Sequence, residues 1–141
     1  MAVKKQKFIS FKIAGDWYGL PIIFGKQFIN CEQLSPIPDS QDKIKGLIYH
    51  NGNILTVLDT AKIISIKARP SDRTQVSCLV FSYDKDFYAL AINEEGEVMT
   101  AKRIFNDANK QKFKKYFKEK DAKIYILEPA DILHSIDIYD K

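Results

Sequence analysis

Few groups in the chain could do covalent chemistry, and their spacing decides what they are for. Only His50 and His134 are of a residue type that could serve as a near-neutral acid or base, and neither stands near a Ser, Cys or carboxylate pattern that would pair a nucleophile with its base. Gly25-Lys26 lacks both the upstream Gly and the downstream Ser or Thr of a phosphate loop. Asp84 and Asp86, or Glu94, Glu95 and Glu97, could be offered to a cation, but no run shows the calcium-type alternation closed by Glu, and acids in turns are ordinarily solvated. Cys31 and Cys78 have no second Cys or His at ligand spacing, so they read as reduced thiols in or near the core and not as zinc ligands. The expectation is no catalytic residue, no metal, no cofactor and no small-molecule substrate.

With catalysis set aside, composition asks what frame holds the remaining residues. A chain of 141 residues fits one domain by length. At that size it buries roughly 68% of its unfolded surface, so a real core is available. Nine Phe and seven Tyr, with Ile, Val and Thr in short bursts, lean towards strands. No stretch approaches the roughly 18 consecutive apolar residues of a membrane span, and no apolar run follows Met1-Ala2-Val3-Lys4-Lys5 as it would in a signal peptide, so the expected address is cytoplasmic without membrane insertion.

The chain repeats itself. Phe8 to Tyr18 laid over Cys78 to Tyr88, a shift of 70 residues, pairs Phe11 with Phe81, Trp17 with Phe87, Tyr18 with Tyr88 and Leu20 with Leu90. A shift of 69 lays Leu55 to Ile64 over Ile124 to Leu133. The repeats run from about 8 to 66 and from about 78 to 139, joined by a polar linker, Ile66 to Arg73. Each opens with a strand, a turn of three to five residues (Ala14-Gly15-Asp16; Asp84-Lys85-Asp86) and a returning strand. Asn51-Gly52 predicts a tight turn with positive φ at both centres. Asp59 predicts a helix cap before Thr60 to Ile64, and Glu128-Pro129 repeats the design with Pro at the first helical position. A unit of short strands used twice predicts an all-β chain of two small barrels, about five strands each, with short helices.

The formal charge of +4 is localised. Lys110 to Lys120 holds six Lys against one Glu, +5 in all, which leaves the rest of the chain at −1. Phe113, Tyr116 and Phe117 fall at i, i+3 and i+4, predicting a helix over Asn106 to Lys120 that buries its aromatics and leaves the lysines in water. The alternative reading is a small-barrel nucleic-acid binder using the same lysines; nucleic acid is not the expected partner.

In order and spacing, Phe8-Ile9-Ser10-Phe11, Tyr18-Gly19-Leu20-Pro21-Ile22, the loop Ser35-Pro36-Ile37-Pro38 and Ile44 to Asp59 resemble the CheW family, the coupling proteins of bacterial chemotaxis. The resemblance spans Phe8 to Leu133. It implies two five-stranded SH3-like barrels side by side and a non-enzymatic adaptor. A groove between the barrels would take the signalling tip of a chemoreceptor, and a barrel end the regulatory domain of a CheA-type histidine kinase. Carried over by position, the groove would include Gly25, Gln27, the Gly46 to Asn51 region with Tyr49 and Asn51, and Glu95 and Val98. The family commonly has Asn-Leu-Arg-Gly where Tyr49-His50-Asn51-Gly52 stand here, and Asn51 cannot reproduce the forked contact of an Arg.

Overall fold

The structure is a computed structural model and describes residues 5–30, 34–35, 42–65 and 77–136. Local turn chemistry sets its units. Strands β1 (Gln6–Ile13) and β2 (Asp16–Pro21) are joined through Ala14 and Gly15 at φ 49° and 93°. Their copies, β6 (Ser77–Tyr83) and β7 (Asp86–Ile92), are joined through Asp84 and Lys85 at 52° and 73°. Both loops hold two residues, shorter than the three to five expected, because positive φ at both centres matches the twist of the flanking strands and lets pairing run up to the turn. The registers place Phe11 opposite Tyr18 and Phe81 opposite Tyr88. Each pair stacks, with ring centroids 6.3 and 5.4 Å apart, so the repeat of sequence is a repeat of packing.

The rest of each unit follows suit. Strand β3 (Gly25–Asn30) has its copy in β8 (Glu94–Ala101). Strands β4 (Ile44–His50) and β5 (Asn53–Leu58) turn through Asn51 and Gly52 at φ 48° and 80°, as the dipeptide predicts. Asp59 caps helix α1 (Thr60–Ile63), its carboxylate accepting from the Lys62 amide at 3.3 Å. In the second unit, the short β9 (Phe105–Asn106), then β10 (Lys115–Glu119) and β11 (Ala122–Ile126), lead to helix α2, which starts on Pro129 and runs to Ile136.

The chain is all-β, in two sheets: a six-stranded one in the order β8-β1-β2-β11-β10-β9 and a five-stranded one in the order β3-β6-β7-β5-β4. Neither is made from one repeat. The hairpin β1-β2 of the first unit sits among β8 to β11 of the second, and the hairpin β6-β7 of the second among β3 to β5 of the first. The joints are two parallel pairs, β11 with β2 and β5 with β7, and two antiparallel ones, β1 with β8 and β3 with β6. Each subdomain therefore needs both halves of the chain, an exchange that local sequence signals do not carry.

Because the strands alternate between two buried faces, three cores form. Phe8, Phe117, Ile124 and Ile126 fill the six-stranded subdomain, with Trp17 and Met99 packed against them. Ile48, Leu55, Val57, Val80 and Ala89 fill the five-stranded one. The opposite faces of the hairpins meet each other and both helices in a larger core, including the two stacked Phe-Tyr pairs, Ile63, Leu133 and Ile136.

Two expectations are corrected. The helix over Asn106 to Lys120 does not form: Lys115–Glu119 is a strand between β9 and β11. The i, i+3, i+4 spacing is a coincidence of three environments, with Phe113 in the central core at φ 50°, Phe117 inside the six-stranded subdomain and Tyr116 on its outer face. Cys78 is wholly buried but disulfide-bonded, not a reduced thiol; Cys31 lies outside the described residues. The linker Ile66 to Arg73, the segment Pro36-Ile37-Pro38 and the residues after Ile136 also lie outside them.

Candidate protein-binding groove

The two structurally equivalent edge strands, β3 and β8, border the line where the subdomains meet. Gly25 on β3 sits flush on Ile9 of β1, so a side chain there would run into the Ile9 Cδ1 methyl and lie next to Leu20. Ile9 in turn stands opposite Val98 of β8, which is 53% exposed. Gly25, Ile9 and Val98 thus form one continuous strip across the joint.

A bulge separates Gly25 from Gln27 on β3, so that Gly25 shares a face with Phe81 and Gln27 shares the opposite one with Val80, towards the β4-β5 turn. The Gln27 amide nitrogen lies 2.8 Å from His50 Nε2, and the Asn51 amide nitrogen 3.2 Å from the same atom. The Gln27-His50 contact ties the two edge strands of the five-stranded sheet together at that end.

Tyr49 lies beside this trio but faces the other way. It pairs directly with Ile54 across the tight turn, and the two are 74% and 65% exposed. Two large apolar side chains side by side in water are a contact surface in want of a partner. On β8, Glu95 is exposed and stands opposite Phe11, with Lys12 and Glu94 beyond it 4.0 Å apart.

Of the residues expected here, the structure brings Gly25 and Val98 together on Ile9, and separately Gln27 and Asn51 together on His50. Glu95 lies further along β8, and Tyr49 is on the adjoining face. Gly46 is different: it is buried in a β-bulge, and a Cβ there would strike the main-chain carbonyl of Ser35, whose amide and carbonyl bond Leu47 at 2.8 and 2.7 Å. It serves the backbone.

Sequence reasoning did not name Ile9 or Ile54 as site residues, and covered His50 only as part of the Gly46 to Asn51 region. Ile54 was within reach, because a two-residue turn at Asn51-Gly52 fixes Tyr49 opposite Ile54. Ile9 was not, since its exposure depends on Gly25 arriving from another sheet. The two histidines lie apart, His50 on β4 and His134 on α2. His134 borders a hollow of about 460 Å³ with Phe113, Lys115 and Glu128. There burial holds the Glu128 carboxyl above the usual range, Asp131 adding to this and Lys115 opposing it. Among the described residues no group of three His, Cys, Asp or Glu side chains is placed to hold a metal ion. No helix among them is long and apolar enough to cross a membrane.

Two exchanged β-subdomains with exposed edge strands, and strips of apolar and amide groups beside the joint, define a protein-binding domain. Residues 7–136 match the CheW-like domain family, and the chain belongs to it. Among solved structures it is similar to the scaffolding protein TtCheW from Thermoanaerobacter tengcongensis, with a TM-score of 0.76 and 21% sequence identity over 87% of this chain and 88% of that one. No curated protein matches the sequence. Family and fold together support a scaffold or adaptor role in chemotaxis-type signalling.

Proposed function

We propose that this chain is a non-enzymatic adaptor of the cytoplasm that couples the signalling tip of a chemoreceptor to the regulatory domain of a CheA-type histidine kinase. The observation that carries the reading is the strip Gly25-Ile9-Val98, where the glycine lets Ile9 pack flush against β3 across the joint and half-exposed Val98 stands beside it, a low apolar surface for a docking helix or loop. Gln27, His50 and Asn51, at the end of the five-stranded sheet, add amide and imidazole groups suited to a polar partner surface. Tyr49 and Ile54 supply exposed apolar area beside it.

The test is co-sedimentation of the purified chain with membrane-inserted receptor signalling domains and the kinase regulatory domain of the same organism. The expected result is a ternary pellet that loses the receptor when Gly25 becomes Arg while keeping the kinase domain. Absence of contact with either partner at micromolar concentrations overturns the coupling role.

A further inference from the structure

A second surface lies at the opposite edge of the six-stranded sheet from β8. Phe105, Tyr116 and Tyr125, one from each of β9, β10 and β11, form a row on the outer face: Phe105 stacks on Tyr116 at 5.4 Å between centroids, and Tyr116 meets Tyr125 at 5.4 Å. A lysine nitrogen stands over every ring, Lys118 at 5.4 Å from Phe105, Lys123 at 4.9 Å from Tyr116 and Lys110 at 3.9 Å from Tyr125. The row is pinned at one end, where the Tyr125 hydroxyl donates to Asp107 at 2.6 Å.

Such order has a cost that folding does not require. Lys118 and Lys123 face each other directly across β10 and β11, a like-charge pair that weakens a sheet by a few tenths of a kcal/mol or more. The described salt bridge is on the far edge, Lys12 with Glu94. Asp107 tempers Lys110 and Lys123 electrostatically but spends its oxygens on Tyr125 and the Asn109 amide. Cations held in fixed positions by aromatic faces, and set against one another, are prepared for an outside anion.

We propose that this face docks an acidic polypeptide segment, whose carboxylates pair with Lys110, Lys118 and Lys123 above the Phe105-Tyr116-Tyr125 row. An acidic protein fits better than a single-stranded nucleic acid. Base stacking needs open ring faces. Here the faces are taken by neighbouring rings and by the lysines themselves. The surface is independent of the groove and of the coupling reading.

The experiment is fluorescence anisotropy of a labelled oligoglutamate peptide with the full chain at low salt, beside an oligothymidylate of equal charge. The double variant Lys118→Gln/Lys123→Gln should raise the peptide Kd about tenfold, and Lys112→Gln/Lys114→Gln, which removes the same charge away from the row, less than about twofold. Tyr116→Leu, with circular dichroism unchanged, should weaken the peptide by releasing the lysines it orders. Equal losses for the two lysine pairs, tighter binding of the oligothymidylate, or no peptide binding to the parent chain each overturns the proposal.

Discussion

The hydroxyl of Ser10 donates to the main-chain carbonyl of Glu97 at 2.7 Å and accepts from the amide of the same residue at 2.9 Å. Between these strands the ladder breaks: Ile9 pairs with Val98 and Phe11 with Glu95, so Gly96 and Glu97 together oppose Ser10. One side chain thus replaces two main-chain partners at a bulge. Gly96 is needed beside it because a Cβ would strike the Ser10 oxygens and the Trp17 ring. Bulges bend and re-aim a strand, and this one sets how Glu95 and Val98 are presented on the edge.

Ser10→Ala should therefore destabilise the fold by about 1 kcal/mol or more, the cost of leaving a part-buried amide and carbonyl without their side-chain partner. Urea denaturation checks it: the midpoint should fall with the slope unchanged. A midpoint equal to that of the parent would mean that water or a relaxed β8 replaces the hydroxyl.

Gly25 and Gly46 make a contrasting pair. A methyl at Gly25 meets the end of a flexible side chain, Ile9, whereas at Gly46 it meets the fixed carbonyl of Ser35. Gly46→Ala should cost more than Gly25→Ala, with overpacking of this kind typically costing about 1–3 kcal/mol. The Gly25→Ala loss should shrink when Ile9→Val removes the clashing methyl, a coupling that a double-mutant cycle in urea measures. Additive losses would show that the two residues are not in contact.

What was legible in the sequence is what local geometry dictates. The hairpins, the Asn51-Gly52 turn and the Asp59 cap all depend on residues within a few positions of each other, and the structure keeps them. The exchange of hairpins between subdomains was hidden, since parallel pairing of β5 with β7 and of β11 with β2 joins segments far apart in sequence without any local mark. The lysine segment misled for a related reason. Helical spacing of Phe113, Tyr116 and Phe117 says nothing of Asn106, Ala122 and Ile124, whose pairing with β10 makes it a strand. In the site, Tyr49, Asn51 and Gln27 could be named because the family resemblance carries them over by position, while Ile9 required the crossing of two sheets.

Tyr49→Ser and Ile54→Ser should separate stability from binding. Both side chains are largely in water, so stability should move by less than about 0.5 kcal/mol. Capture of the receptor signalling tip should nevertheless fall severalfold for each, with capture of the kinase regulatory domain retained. Calorimetry or biolayer interferometry reads the difference, and unchanged affinity for both partners would remove this face from the adaptor surface.

The bond from Tyr125 to Asp107 gives the protein a titration signature at both ends of the pH scale. The Tyr125 hydroxyl, followed by the Asn109 amide, holds the Asp107 carboxyl below its usual range. A depressed folded-state value means that this contribution is present at neutral pH and is lost as pH falls through the carboxylate range. The same bond, with burial second, pushes Tyr125 up to about 12, and burial above all does the same for Tyr18. An acid whose folded value is raised contributes fully below its ordinary value and loses that contribution as pH climbs from there towards 12. Tyr125→Phe should therefore raise the Asp107 midpoint in a carbon-13 carboxylate titration, and remove a late-ionising tyrosine from the ultraviolet titration while Tyr18 remains. If the Asp107 midpoint stays where it is in the parent, the hydroxyl does not set it, and the end of the aromatic row is held by something other than this bond.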